Sequence, residues 1–390
     1  MPHDPDVLAE LRRRLALHGR LTFAEVMEIA LYHPIGGYYT AHVELGPHGD
    51  FVTAPEEHPA FGALLARQAA QCWQVMGAPA VFPVVEMGGG RGVLASAFLA
   101  HAHAQLPDFA HAVRYWLIDR SPRLLAELRR RLAPFGDQVR WADDIPSALH
   151  GLILSNELVD AFPVHRVVMR AGELRELYVV ADGDFFTWQE DELSTPALAE
   201  YFDHLGLQLA EDQQAEVNLA AIDWMRTVVQ ALARGFVITI DFGHTAKLLY
   251  RPERKYGTLY AYRRQCVSDD LLANLGLQDL IAHVDFTTLV ETGKAGGLTP
   301  LGLVTQHHFL LNLGLEGWLA ALDTLSLPPT QRAANRRALL ELVSTEENGL
   351  GDAKVLVQAK EMTAELDGLL PAARRHNAEM LYGIRMPLLP

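Results

Sequence analysis

The chain has 390 residues, of which 49% are hydrophobic and 21% charged, and its formal net charge is −15 at pH 7. That length exceeds one ordinary core, and that composition packs rather than staying disordered. An acidic surface repels phosphate backbones, which argues against nucleic acid as the main partner, and two cysteines, Cys72 and Cys266, rule out a thiol metal site and argue against a disulfide framework.

No charged start precedes an apolar core at the N-terminus, and no run of about 18 apolar residues suggests a membrane span. The expectation is a reduced, cytoplasmic protein without a membrane partner. Residues 5–31 place Val7, Leu8, Leu11, Leu15, Phe23, Val26, Met27 and Ala30 three and four apart and read as helical. "HPIGGYYT" breaks that pattern, "GPHGDFVTAPEE" (46–57) is a second glycine- and proline-rich loop, and Pro59–Met76 is helical again. The runs "LRRRL" at 11–15 and 128–132 read as solvated helix faces.

Alternation begins at "FPVVEM", followed by a glycine loop and the helix "VLASAFLAHAHAQL". A strand "VRYWLID" (113–119) precedes a helix over Ser121–Leu132, with Ser as cap and Pro at the first helical position. "QVRWADD" (138–144) and "GLILSNELVDAFP" (151–163) read as two further strands with loops. Near-continuous apolar strands alternating with helices predict an α/β protein with a mostly parallel sheet covered on both faces. Residues 164–188 read as an antiparallel meander turning at "AGE" and "DGD". Residues 189–231 read as a polar, helical insertion or cap, and "GFVITIDFG", "LGLVTQ" and "AKVLVQA" as later strands. The adjacent histidines of "QHHF" (306–309) would point to opposite faces of a strand, so no metal site is expected there.

"EMGGGRG" (86–92) follows a buried strand and opens a helix, the context of a nucleotide or nucleoside site. Gly88, Gly90 and Gly92 let the backbone approach a ligand, and the helix start presents free amides. Glu86 would repel a pyrophosphate and welcome a sulfonium and an amino group, which favours S-adenosylmethionine over NAD. Asp119 ends the next strand, where a carboxylate can accept both ribose hydroxyls. Asp143 or Asp144, after the strand beyond, could accept the adenine amino group. A tight turn whose glycines serve only helix packing is the structural alternative. In "SNELVDAFPVH" (155–165), Asn156, Glu157 and Asp160 could hold a basic or hydroxyl acceptor, and two carboxylates three apart can bracket a guanidinium; capping of the following turn is the alternative. Asn156 also lies close enough in sequence to the strand end to contact the cofactor. His58 and His165 are lesser candidates for a base.

The motifs "FAEVMEIALYHPIGGYY", "GDFVTAPE", "VVEMGGGRG", "DRSP", "SNELVDAFPVHR", "ITIDFGH", "GTLYAYRR", "HVDFTTL", "QHHFLLNLG" and "AKVLVQ", in that order, resemble the MidA family of S-adenosylmethionine-dependent methyltransferases over roughly residues 20–360. The resemblance implies a Rossmann-like class I methyltransferase with a mostly parallel seven-stranded sheet, an N-terminal helical and loop extension and an inserted cap. It divides the chain into an extension at 1–78, a first part of the core at 79–188, a helical insertion at 189–232 and the remainder with C-terminal helices at 233–390. It implies that Tyr39, Gly49, Asp50, Thr53, Pro55 and Glu56 fold over the cofactor and help to build the acceptor pocket. It implies an arginine side chain of a partner protein as acceptor, since mitochondrial members are complex I assembly factors that methylate a protein arginine. The chain departs from the family pattern at Gly89, Ala97, Glu57, His58, Val159 and His307. A small-molecule methyltransferase and a catalytically silent, cofactor-binding assembly factor are the competing readings, and the insertion could make a homodimer.

Overall fold

A computed structural model describes residues 3–44, 46, 49–346, 349–371 and 386–389. Pro47 and His48 of the second loop, and most of the chain beyond 371, lie outside the described residues. The central sheet has seven strands: β1 (Phe82–Met87), β2 (Val113–Ile118), β3 (Val139–Trp141), β4 (Leu149–Asn156), β5 (Leu232–Asp241), β6 (Thr299–Thr305) and β7 (Lys354–Lys360). They lie side by side in the order β6, β7, β5, β4, β1, β2, β3. All neighbours from β5 to β3 are parallel, and β7 alone runs against the rest.

Successive residues of one strand serve two cores, because side chains alternate across a strand. Val84, Leu152, Leu154, Phe236 and Ile238 face one apolar cluster, packed by helices Ala60–Val75 and Val93–Gln105. Val85, Ile153 and Val237 face the other, packed by helices Leu219–Ala231 and Phe286–Ala295. Both faces being covered explains why the strands read as unbroken apolar runs.

The stretch expected to be one helical segment, 5–31, is two helices, Pro5–His18 and Phe23–Tyr32. Gly19 stops the first in a conformation with φ of 77°, its N–H donating to the Leu15 carbonyl at 2.8 Å. Thr22 starts the second through a capping box, its hydroxyl accepting from the Glu25 amide at 3.2 Å while the Glu25 carboxylate accepts from the Thr22 amide at 2.8 Å.

The meander forms as expected, from strands His165–Arg170, Glu173–Asp182 and Phe185–Asp191. The following stretch, expected to be polar and helical over 189–231, is more varied. Its first residues finish the meander, Gln214–Val217 adds a strand beside His165–Arg170, and Leu219–Ala231 is a buried helix of the central layer. The polar residues misled here: Leu219–Ala231 is amphipathic and buries Trp224, Met225, Val228 and Val229. "QHHF" starts a helix, Gln306–Asn312, rather than ending a strand, and its histidines bond the carbonyls of Val343 and Leu370. A third apolar cluster joins the two N-terminal helices to a small sheet of strands Tyr260–Arg263, Cys266–Ser268 and Asp279–Ile281. This unit stands over the carboxyl ends of β1 and β4, and the site lies between.

Candidate functional site

The loop between β1 and the helix Val93–Gln105 turns through left-handed glycines, with φ of 76° at Gly88, 53° at Gly90 and 75° at Gly92. A side chain is resisted at three of the four glycines. A β-carbon would stand 3.0 Å from Leu158 at Gly88, 2.6 Å from Leu117 at Gly89 and 2.7 Å from Leu128 at Gly92. Gly89, where the family pattern has another residue, is thus held by Leu117 of β2. Ala97, another departure, faces Gly62 of the neighbouring helix, where a β-carbon added at Gly62 would stand 2.8 Å from it.

Glu86, near the end of β1, is buried and accepts the Tyr115 hydroxyl at 2.8 Å. Burial, with the like charge of Asp119 added, pushes its carboxyl up to about 8. Asp119, just past β2, accepts the Gly90 amide at 2.9 Å and the Ser121 amide at 2.7 Å, which fixes its orientation against the glycine loop. Burial raises its carboxyl also. The Ser121 hydroxyl donates to the Tyr39 carbonyl at 2.6 Å and so ties the N-terminal unit to this strand end.

A cavity of about 860 Å³ opens over these strand ends. Its wall holds Glu86, Gly88, Gly90 and Asp119 on one side, with Asp143 and Asp144 both exposed beside them. Asn156, Glu157 and Asp160 also line it, as do Tyr39, Thr53, Pro55 and Glu56. Glu56 pairs with Arg91 of the glycine loop at 3.3 Å. Glu157 accepts the Asn156 side-chain amide at 3.0 Å and the Ala54 backbone amide at 3.3 Å, so the loop that carries Thr53 and Ala54 touches this carboxylate. The Glu157 carboxyl is pushed up to about 7, first by desolvation and then by the charges of Asp241 and Asp279. Asp160 is raised well above the ordinary carboxylate range by burial and by Asp241, Glu157 and Asp279.

Five expected site residues lie off this wall. Gly92 shapes the helix start against Leu128. Gly49 donates to the Gly46 carbonyl at 2.8 Å within its own loop. Asp50 accepts the Tyr38 hydroxyl at 2.8 Å and the Arg264 amide at 2.6 Å, which pins the covering loop to the strand pair at 260–268. His58 is fully buried, with one ring nitrogen on Asn335 and the other accepting the Ala60 amide, each at 3.0 Å; burial pushes it down to about 4. His165 bonds Glu176 at 2.7 Å inside the meander. Neither histidine can serve as a base in the cavity, because both are engaged elsewhere.

Sequence reasoning missed Asp279, Asp241, Tyr32 and Trp224. Asp279 is buried on the cavity wall, accepts the Tyr39 hydroxyl at 3.0 Å, and is pushed up to about 7 by burial. Tyr32 stacks on Tyr39 with ring centres 5.6 Å apart and donates to the Ala161 carbonyl at 2.8 Å. Trp224 reaches the cavity from the helix Leu219–Ala231 and donates its indole N–H to the Met87 sulfur at 3.3 Å. The motif "ITIDFGH" was the available signal for Asp241, but nothing local marks Asp279 as part of the site. Among the described residues no group of His, Cys, Asp and Glu is arranged to hold a metal ion.

The model of a family of S-adenosyl-L-methionine-dependent methyltransferases matches residues 64–304. Protein arginine methyltransferase NDUFAF7, mitochondrial, of Xenopus tropicalis is 27% identical over 332 residues, which cover 76% of this chain and 73% of its own. The protein of the same name in Homo sapiens is 27% identical over 353 residues, covering 84% and 77%. A protein from Burkholderia thailandensis crystallised with S-adenosyl-homocysteine superposes with a TM-score of 0.84 at 31% identity, covering 94% of this chain and 97% of its own. These curated relatives are mitochondrial proteins, which overturns the expectation of a cytoplasmic one. Among the described residues no helix is long and apolar enough to cross a membrane. With the family model matching more than half of its length, the chain belongs to the S-adenosyl-L-methionine-dependent methyltransferases, and S-adenosyl-L-methionine is its cofactor.

Proposed function

We propose that this methyltransferase acts on a guanidinium group, that of an arginine in a partner protein. The observation that carries this reading is the set of carboxyl groups around the acceptor side: Glu157, Asp160, Asp241 and Asp279. Desolvation raises all four, and the charges of Asp241 and Asp279 add to it at Glu157 and Asp160. Such a cluster is stabilised by an incoming cation. The stacked rings of Tyr32 and Tyr39 supply a flat wall suited to a planar cation. The relatives named as protein arginine methyltransferases support the same acceptor.

The residues present fit the cofactor. Gly88 turns with a left-handed φ of 76° that disfavours a side chain, carboxylates stand at three successive strand ends, and the Asn156 side-chain oxygen is buried with no partner among the described residues. In our reading Glu86 meets the amino group, Asp119 the ribose hydroxyls, and Asp143 or Asp144 the adenine amino group, beside Trp224. When bound, S-adenosylmethionine supplies an electrophilic methyl on a leaving group that needs no further activation. What remains for the protein is alignment and exclusion of water. Glu157 and Asp160 accept the guanidinium N–H groups, leave one nitrogen facing the glycine loop, and take the proton that nitrogen gives up. Tyr39, Thr53, Pro55 and Glu56 close the cavity against solvent.

The strand order, with one reversed strand beside β5, supports a Rossmann-like class I assignment. We place the cap at 165–217, where the meander, the helix Ala197–Leu205 and the strand Gln214–Val217 form one small layer, and assign Leu219–Ala231 to the core. A dimer through this cap would show in sedimentation as twice the chain mass.

The test is transfer from methyl-labelled S-adenosylmethionine into an extract of cells lacking the gene, separated into protein and small-molecule fractions. The expected result is a labelled protein band that yields methylarginine on hydrolysis, with Glu157→Gln slowing transfer about a hundredfold or more. Label confined to small molecules would replace this reading with a metabolite methyltransferase. Cofactor binding without any transfer would leave a silent assembly factor.

A further inference from the structure

Strand β5 ends at Asp241, a fully buried carboxylate that lies off the cavity wall. Its Oδ2 accepts the amide of Leu158 at 3.2 Å, that of Val159 at 2.8 Å and that of Asp160 at 3.4 Å, and its Oδ1 accepts the Phe242 amide at 2.9 Å. Three successive amides aimed at one oxygen make a concave turn that holds an anion. The turn follows directly on Glu157, whose φ of 48° is left-handed and disfavoured for any residue with a β-carbon. No glycine or asparagine stands at 157 to make that conformation easy; Glu157 is kept in it from outside. Its own amide donates to the Ile240 carbonyl at 2.8 Å, one residue before Asp241. The end of β5 therefore grips the acceptor loop at four successive amides, 157 to 160.

We propose that Asp241 is a positioning residue for methyl transfer: by accepting the amides of Leu158, Val159 and Asp160 it fixes the turn that aims Glu157 and Asp160 into the cavity. The proposal rests on the reading of those two carboxylates as acceptor contacts. An asparagine at 241 keeps the shape but converts one oxygen into an N–H donor. That donor would face either the three amides of the turn or the amide of Phe242, so part of the grip is lost whichever way the side chain lies.

The test compares full-length Asp241→Asn, Glu157→Gln and the double variant in three measurements. These are titration with S-adenosylhomocysteine, the initial rate of labelled methyl transfer into the protein fraction at saturating extract, and hydrogen exchange of the amides at 158–160. Asp241→Asn is expected to slow transfer tenfold or more, to leave S-adenosylhomocysteine affinity within twofold, and to speed exchange at 158–160 but not at Gly90. Because Asp241 acts through Glu157 and Asp160 together, the double variant is expected to be slowed by less than the product of the two single effects. Unchanged exchange at 158–160 overturns the proposal whether or not an acceptor is found. Loss of S-adenosylhomocysteine binding in Asp241→Asn overturns it too, in favour of general support of the fold. Wild-type transfer by Asp241→Asn beside a crippled Glu157→Gln removes the positioning role and leaves the acceptor assignment intact. Wild-type transfer by Glu157→Gln removes the acceptor assignment itself.

Discussion

Glu86 answers two opposing demands. Without a ligand its carboxyl is buried and largely protonated at neutral pH, while an ammonium beside it would draw the proton off. Glu86→Gln keeps an oxygen for the Tyr115 hydroxyl and removes the charge. A hydrogen bond to a charged group contributes about 1.5–3 kcal/mol. The variant is therefore expected to bind S-adenosylmethionine about tenfold to a hundredfold more weakly by calorimetric titration, and an unchanged affinity would place the amino group elsewhere. Glu86 and Asp119 were legible because a buried strand, a glycine loop and a capped helix follow one another in sequence and fix where a strand-end carboxylate stands. Asp279 and Asp241 were not, because strands more than eighty residues downstream of the acceptor loop bring the first to the cavity wall and the second behind that loop. Asp50 shows the reverse error. Its motif marked it correctly as special, yet its work is to hold a loop rather than to line the cavity.

At the scale of elements, the helix Val93–Gln105 begins where Gly92 brings it against Leu128. Gly92→Ala forces a β-carbon into a left-handed position and 2.7 Å from Leu128. The expected cost is about 1–3 kcal/mol, read as a lower denaturation midpoint with an unchanged m-value. Adding Leu128→Ala should not restore stability, since the backbone strain stays and a cavity is added; full recovery would mean that crowding alone mattered. The inner strands of the central sheet were legible for a simple reason: burial on both faces leaves little polar alternation to confuse them. The helix Leu219–Ala231 was not, because one of its faces is polar and it follows an acidic segment, so that its buried stripe of Trp224, Met225 and Val228 was outweighed. The break at Gly19 was missed because the apolar spacing resumes in phase beyond it.

The whole molecule carries an unusual load of buried ionisable groups, and their linkage to folding has a definite sign. Glu86 is pushed up from 4.5 to about 8, Glu157 from 4.5 to about 7, and Asp241 and Asp279 from 3.8 to about 7. An acid with a raised folded value stabilises fully below its unfolded value, and that stability is lost as pH rises through the folded one. His58, His101, His244 and His283 are pushed down from 6.5 to about 4, so their contribution is present above 6.5 and is lost as pH falls through the folded value. The two sets oppose each other between about 4.5 and 6.5 and cease to do so above it. Thermal stability of the ligand-free protein is therefore expected to fall from pH 6.5 to pH 8, with Glu86→Gln flattening the slope. A midpoint that rises over that interval would contradict the burial of these carboxyl groups.

The order of the central strands also sets a timetable for synthesis. Strand β7 lies between β5 and β6, yet it leaves the ribosome after both, with residues 306–353 intervening. Until then β5, ten residues long and mostly buried in the finished fold, has one edge without a hydrogen-bonding neighbour. A nascent chain stalled before residue 354 would thus display an open, sticky edge of the kind that recruits other strands. Ribosome-bound chains of this length are expected to engage chaperones and to aggregate on release, and chains that extend past residue 360 to do neither.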